Sequence, residues 1–453
     1  MLTLSSFLVA IALLIAVHEY GHYRMAVAVG VRVLRFSVGF GPQLFRWQPP
    51  GSVTEFVVCA FPLGGYVRML DEREAPVDAS IRHLAFNTQP LVSRVAIVAA
   101  GPIANLLLAV FLYSVVNWGG VEYPAAILAS PAADSVAARS GVLGGERVLR
   151  VGLAEQEMRD IASFEDVRWV LSRGALDGND ARLELLDSSS EHTREVKFKL
   201  SELETRDANA DLFESIGVVG PFTRPVLGAI LPDGAAHQAG LQEGDLVRTF
   251  GGFPVVDGQQ LRQFIRKSGA TGKAEPAVWS VERNGSLLHI LVRPEVQKEG
   301  AIQVGKIGAF VGSMPELVTV KYGVLEGLWE GVVRTWDVSA LTLRMMGRMV
   351  IGEASLKNLS GPLTIAEYAG KSAGLGLTQY LMFLALISVS LGVLNLLPLP
   401  VLDGGHLMYY LWEYFAGAPV SNVWMERLQR GGVAVLLIMM SIAFFNDLSR
   451  LFG

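Results

Sequence analysis

The sequence holds a single cysteine, Cys59. That excludes an intrachain disulfide and any zinc site built on cysteine. Charge is scarce too: 18% of residues are Asp, Glu, Lys or Arg, against 51% hydrophobic. This balance points to a membrane protein with soluble insertions. The formal net charge of −5 argues against nucleic acid as a partner. Residues 1–17 carry no charge at all. A cleaved leader would begin with a basic stretch and end at a small-residue cleavage site. Here the apolar run has no basic start and leads straight into His18-Glu19-Tyr20-Gly21-His22. The run reads as a retained helix over 4–22, close to the ~20 residues needed to cross a bilayer.

On a helix, positions four apart share a face, so His18 and His22 can reach one metal ion. Glu19 is placed to act on a water at that metal. Two interfacial histidines and a snorkelling glutamate would be the blander reading. Ionisable groups at membrane depth are costly, however, and are usually functional. Catalytic zinc takes three protein ligands and keeps one position open. The stretch Asn395-Leu396-Leu397-Pro398-Leu399-Pro400-Val401-Leu402-Asp403-Gly404-Gly405-His406 offers the third ligand. Pro398 and Pro400 break the helix there. Asp403, directly after the break, is the first candidate and His406 its rival.

Further spans are expected at 95–118, 379–397 and 431–447. Arg24, Arg32, Arg35 and Arg46 follow the first span, so the positive-inside rule puts the motif on the cytoplasmic side and both termini outside. Residues 119–320 then lie on the outer side. Between the first two spans, Val53–Phe61 and Tyr66–Leu70 flank Pro62-Leu63-Gly64-Gly65 and read as a β-hairpin. Gly39-Phe40-Gly41-Pro42 reads as a turn. A His-Glu-x-x-His motif on a helix suits metal-assisted hydrolysis of a peptide bond, and a helical substrate must unwind before it is cut. An edge carrying Phe56, Val57, Val58, Gly64 and Gly65 could hold the unwound segment by strand addition. Asn395 and Asn105 are candidates to hydrogen-bond it, with helix packing as the alternative. Residues 322–350 carry an apolar stripe from Leu325 to Leu343 broken by Glu326, Glu330, Arg334, Asp337, Arg344 and Arg348. They predict an amphipathic helix on the outer membrane surface, with packing on the helical core as the alternative. Lys357–Lys371 reads as a connector.

The outer region repeats itself. Ser140-Gly141-Val142-Leu143-Gly144-Gly145-Glu146 matches Ala239-Gly240-Leu241-Gln242-Glu243-Gly244-Asp245. Upstream, Ser130-Pro131-Ala132-Ala133 matches Leu231-Pro232-Asp233-Gly234-Ala235. The copies resemble bacterial PDZ domains, the second more closely, and PDZ domains bind extended chain ends. Paired spacers without a ligand are the alternative. The predicted organisation is 1–118 (two spans and the hairpin), 119–221 and 222–317 (the PDZ-like copies), 318–375 (surface helix and connector) and 376–453 (two spans). The fold class is a polytopic α-helical membrane protein with four transmembrane helices, a membrane-associated β-hairpin and two tandem PDZ-like α+β domains.

Together, His18–His22 in the first span, Asn395-x-x-Pro398-x-Pro400-x-Leu402-Asp403-Gly404 at the third and the tandem repeat between them resemble the site-2 protease family. The likeness is to its bacterial branch of sigma-E regulators. Gly39-Phe40-Gly41 and Gly101-Pro102-x-x-Asn105 also match that family's patterns. The resemblance implies an intramembrane zinc endopeptidase of the bacterial inner membrane, with periplasmic PDZ-like domains acting as a size filter. It implies single-pass membrane substrates, among them trimmed anti-sigma factors and remnant signal peptides. Two other readings are a non-enzymatic membrane scaffold and a metal transporter. A scaffold has no need of Glu19, and a transporter would want more polar residues in the second and fourth spans.

Overall fold

The computed structural model describes residues 2–187, 192–203, 210–299, 302–351 and 361–452. The chain forms two compact units, Met1–Val121 with Lys321–Gly453, and Glu122–Val320.

The first unit is mainly helical: α1 (Leu2–Ala28), α2 (Leu91–Gly119), α3 (Val324–Val350), α4 (Pro362–Leu375), α5 (Leu377–Asn395), α6 (Asp403–Ala416) and α7 (Asn422–Phe452). Among the described residues, four helices are long and apolar enough to cross a membrane: α1, α2, α5 and Val423–Ser449 of α7. They fall where the spans were expected, with α1 running on past the motif to Ala28. Pro102 lies inside α2 without ending it. Helix α2 is the hub, packed against α1, α3, α5 and α6. Small residues allow the close approach. A Cβ on Gly21 of α1 would stand 2.4 Å from the Ala100 carbonyl oxygen of α2.

For residues 322–350 the structure has the alternative, packing on the helical core, in place of the favoured surface position. Helix α3 packs lengthwise and antiparallel along the C-terminal half of α2. Asn117 Nδ2 donates to Gly327 O, Trp118 Nε1 donates to Val324 O, and Gly331 sits against Ser114 and the Val110 carbonyl. Its packed face is made of Gly327, Gly331, Thr335 and Val338, while Leu325, Trp329 and Trp336 point outward. The small residues that dock it were hidden by the larger apolar stripe. The connector also differs: residues 357–360 lie outside the described residues, and from Pro362 the chain is helical, with proline in the first turn where its missing N–H costs nothing. Asp447 of α7, 1% exposed, caps this helix. Its carboxylate accepts from the backbone N–H of Gly361, Leu363 and Thr364 at 2.9–3.2 Å and from Thr364 Oγ1 at 2.5 Å.

The hairpin is replaced by a more closely woven sheet. It has two strands, β1 (Val33–Trp47) and β2 (Glu55–Met69), and each reverses direction within its length. Residues 33–38 meet 69–65 on one side, in antiparallel register, and 55–58 on the other, where both numbers rise together. Residues 43–47 then meet 59–56. Residues 53–61 and 66–69 therefore do not pair with each other: the first half of β1 lies between them. The expected turn at Gly39-Phe40-Gly41-Pro42 is where β1 reverses, with Gly39 and Gly41 at φ +90 and +88.

The second unit contains the repeat. Strands Arg159–Asp160, Arg147–Leu153, Ala181–Leu186 and Thr193–Phe198 lie side by side in that order. Strands Phe253–Pro254, Leu246–Phe250, Ala277–Arg283 and Ser286–Val292 repeat the order. Each sheet has one longer helix, Phe164–Asp177 or Gly258–Ser268. An Asn284-Gly285 turn joins Arg283 to Ser286 with both residues at positive φ. The matched acidic residues do the same work in both copies. Glu146 accepts from the backbone N–H of Leu143 and Gly144, and Asp245 from that of Gln242. An arginine then ties each acid to the same glycine position: Arg194 to Glu146 and Gly141 O, Arg283 to Asp245 and Gly240 O.

Asp447→Ala would strand the donors at the start of α4. It is expected to cost about 2–4 kcal/mol, as a buried charged acceptor removed from its donors does, with Asp447→Asn in between. A thermal melt of the detergent-solubilised protein checks this. An unchanged midpoint for the alanine variant would show that α7 and α4 do not depend on this cap.

Candidate metal centre

Helix α1 carries His18, Glu19 and His22 in its C-terminal half. The two imidazoles lie edge to face with ring centroids 4.8 Å apart. Their Nε2 atoms are 3.2 Å apart. Asp403 opens α6 after the break at 396–402. Its Oδ2 is 3.2 Å from His18 Nε2 and 3.5 Å from His22 Nε2. Ligand atoms on a tetrahedral zinc with bonds of ~2.0–2.1 Å are separated by about 3.3 Å. The three donor atoms therefore match one face of such a tetrahedron and leave a corner free. The donor chemistry agrees. His22 Nδ1 is 2.8 Å from the Ile97 carbonyl and donates to it, which leaves a lone pair on Nε2. Asp403 Oδ2 is buried and finds no hydrogen-bond partner among the described residues. Lone pairs converging on one point suit a bound cation, and these residues fit zinc.

The approach depends on glycine. A Cβ on Gly101 of α2 would stand 2.3 Å from His22 Nε2. On Gly404 it would stand 2.1 Å from Leu397 O, and on Gly405 2.3 Å from Leu399 O. The first turn of α6 thus rests directly on the broken segment, and this sets where Asp403 points. The far end of α6 is held by a second contact. Arg94, at the start of α2, is 2.6 and 3.1 Å from the two carboxylate oxygens of Glu413. Its guanidinium also lies 5.1 Å from the Tyr410 ring centre.

The structure brings His18, His22 and Asp403 together, with their ligand atoms within 4.8 Å of one another. The rival, His406, instead turns its ring edge-on to Tyr409 at 5.9 Å. Glu19 lies beside β2, where a Cβ on Gly65 would be 2.8 Å from Glu19 Cγ. Asn105, 1% exposed, has Nδ2 at 3.4 Å from His18 Nδ1. Asn395 ends α5 and is half-buried. Gly64 sits against the Phe40 ring. Phe56 is packed among Tyr23, Phe36 and Trp47 with ring centres 5.5–5.6 Å away, and Val57 is buried. Val58 is exposed, but residues 56–58 are paired on both flanks. Their backbone cannot take another strand, because the first half of β1 occupies the side expected to be an edge. The Ile97 carbonyl and the Arg94–Glu413 pair were not foreseen. A backbone acceptor has no sequence signature, and an ion pair between distant helices shows only once the helices are packed.

Comparison with known proteins agrees with this geometry. The model of peptidase family M50 matches residues 6–439. The chain is 40% identical to RSc1411 of Ralstonia nicotianae, named as a candidate zinc metalloprotease, over 100% of this chain and 99% of that protein. It is 38% identical to the regulator of sigma-E protease RseP of Escherichia coli over 99% of this chain and 98% of the relative. It is 35% identical to the protease RseP of Yersinia pestis over 99% of each. The chain belongs to peptidase family M50, the site-2 proteases, and is a zinc-dependent metalloendopeptidase. The scaffold and transporter readings fall away.

Gly101→Ala places a methyl group where His22 Nε2 now lies. Bound zinc is expected to fall about 10-fold or more at limiting metal, as when a ligand's support is lost. Metal analysis of the purified protein tests this; full zinc content would show that the α1–α2 contact can relax without moving the ligand.

Proposed function

We propose that the chain cleaves peptide bonds inside the membrane-embedded segments of single-pass proteins, with His18, His22 and Asp403 holding zinc and Glu19 moving the proton. The observation that carries this reading is the triangle of donor atoms built on the spanning helix α1 and on the first residue of α6. Zinc bound there polarises a carbonyl and lowers the pKa of water to about 7. The Glu19 carboxylate takes the proton from the attacking water and delivers it to the departing amine nitrogen. Glu19 is half-buried against Gly65, which shields the carboxylate in part from solvent.

The substrate must reach Glu19 unwound. The supporting feature is β2 at Gly64-Gly65, which runs past Glu19. Among the described residues, no strand pairs with the outer side of 65–69. An extended substrate added there would have its carbonyls presented beside the zinc ligands. Asn395, at the end of α5, would bind the same segment. The outward apolar side chains of the sheet, Phe40, Phe45, Trp47 and Phe61, suit lipid contact. In this reading the protein lies in the bacterial inner membrane with its catalytic end toward the cytoplasm. The two repeated domains of 122–320 are PDZ-like, periplasmic and select trimmed substrates by size. The relatives named as regulators of sigma-E favour anti-sigma factors as substrates, and remnant signal peptides share the same chemistry.

Glu19→Gln is expected to keep zinc and lower cleavage of a model single-pass substrate by about 10²–10⁴-fold, the usual range for a general base. Asp403→Ala is expected to lose the metal. Cleavage surviving in Glu19→Gln, or full zinc retained in Asp403→Ala, would sink the respective assignment.

A further inference from the structure

We infer that Asn105 is a positioning residue for the first metal ligand: its side-chain carbonyl accepts the Nδ1–H of His18 and holds the ring with Nε2 bare toward the metal. This rests on the zinc reading of His18, His22 and Asp403.

Helices α1 and α2 are matched along their contact. Ile97 faces His22, Asn105 faces His18, and Gly101 lies between them. Ile97, Gly101 and Asn105 follow one another at intervals of four and so share one face of α2, which meets His18 and His22 of α1 in the opposite order. At His22 the logic is complete: Nδ1 donates to the Ile97 carbonyl, so Nε2 is free to bind metal. His18 has Nε2 in the same triangle, so its proton must also lie on Nδ1 and needs an acceptor. The group at that nitrogen is the Asn105 amide, 3.4 Å away. With its NH2 turned to Nδ1, two donors would face each other, while Asn105 Oδ1 lies buried with no partner among the described residues. Amide oxygen and nitrogen are nearly the same in shape, and their placement is settled by the network they serve. A half-turn of the amide puts the acceptor where the imidazole proton must be.

Two further facts restrict Asn105 to this role. It is 1% exposed, so neither water nor an incoming peptide reaches it in this arrangement. Its backbone carbonyl accepts from Ser388 Oγ of α5 at 2.7 Å, which locks its place on α2. The sequence expectation that Asn105 binds substrate is thereby replaced.

The test compares Asn105→Leu, of similar volume but without an acceptor, with Asn105→Asp, which keeps one. Both are made in the full-length protein in detergent and titrated with zinc against a chelator. Cobalt-substituted samples report the ligand field through their visible spectrum. Asn105→Leu is expected to weaken zinc binding about 10–100-fold. Asn105→Asp should bind at least as tightly as the parent, since a carboxylate raises the basicity of the ring. A merely structural role gives the opposite order, because burying a carboxylate among apolar helices is the worse disruption. Weaker zinc in Asn105→Asp therefore overturns the proposal even if the leucine variant fails to fold. So does a rise in KM in Asn105→Leu with unchanged zinc affinity, which would make Asn105 a substrate contact. His18→Ala is the control. If it keeps parental zinc affinity, the ligand set itself is wrong; if it loses zinc while Asn105→Leu does not, only the role of Asn105 fails.

Discussion

Three electron-pair donors from opposite ends of the chain are held 3.2–3.5 Å apart, and the rest of the first unit can be read as what that closeness requires. Without a cation, two imidazole lone pairs and a carboxylate oxygen repel at this distance, the more so away from water. The fold therefore has to press them together by packing alone. It does so with residues that have little or no side chain. Gly21 lets α1 touch the backbone of α2, Gly101 clears room for His22, and Gly404 and Gly405 seat α6 on the carbonyls of the broken segment. The Arg94–Glu413 pair fixes α6 at its other end. Its two side chains are only 15% and 20% exposed, so it is better shielded than a surface ion pair, and it gives the short helix a defined direction.

The donor triangle was unusually legible in the sequence, and the physical reason is its cost. His18, Glu19 and His22 stand out because charge and imidazole are expensive in an apolar run. Asp403 stands out because two prolines destroy the helix before it. The repeat was legible because its turns need glycine and acid at fixed offsets, and these survive in both copies. Other features carried no such mark. The interleaving of β1 and β2 depends on which segments pair at long range, and alternating apolar residues fit several registers equally well. Phe56 and Val57 were expected at an edge and lie inside the sheet. In 322–350 the conspicuous residues, Leu325, Trp329 and Trp336, face outward. The packing face is made of Gly327 and Gly331, and a hydrophobicity pattern is blind to glycine.

The matched turns of the second unit show the same problem solved twice with different parts. Glu146 and Asp245 are both nearly fully buried, and a buried carboxylate needs its lone pairs filled. Backbone N–H groups of the turn fill some, and an arginine fills the others. Arg283 comes from the first arm of its hairpin, paired through Ser286, and Arg194 from the second, paired through Leu185. The site to be neutralised is held by the turn, while the strand that supplies the cation is free to differ. This explains why the first copy tolerates Glu where the second has Asp. The longer side chain reaches two turn N–H groups at 3.0 and 2.8 Å, and its arginine approaches one oxygen only. Asp245 instead receives Arg283 on both oxygens.

Helix α2 joins these demands. Along one stretch its positions 97, 101 and 105 lie against His22 and His18; along the next, 110, 114, 117 and 118 receive α3. The second contact has a structural consequence for the insertion. Residues 122–320 leave the first unit just after α2 and return just before α3. The Tyr322 N–H donates to the Asn117 carbonyl, so the exit and the return are held side by side. Strands Val121–Pro124 and Leu317–Val320 pair directly beyond that point. A domain whose two ends are already adjacent can be inserted without stretching the helices on either side. The docking of α3 on α2 thus does for the first unit what glycine does for the donor triangle: it fixes a meeting point between parts distant in sequence.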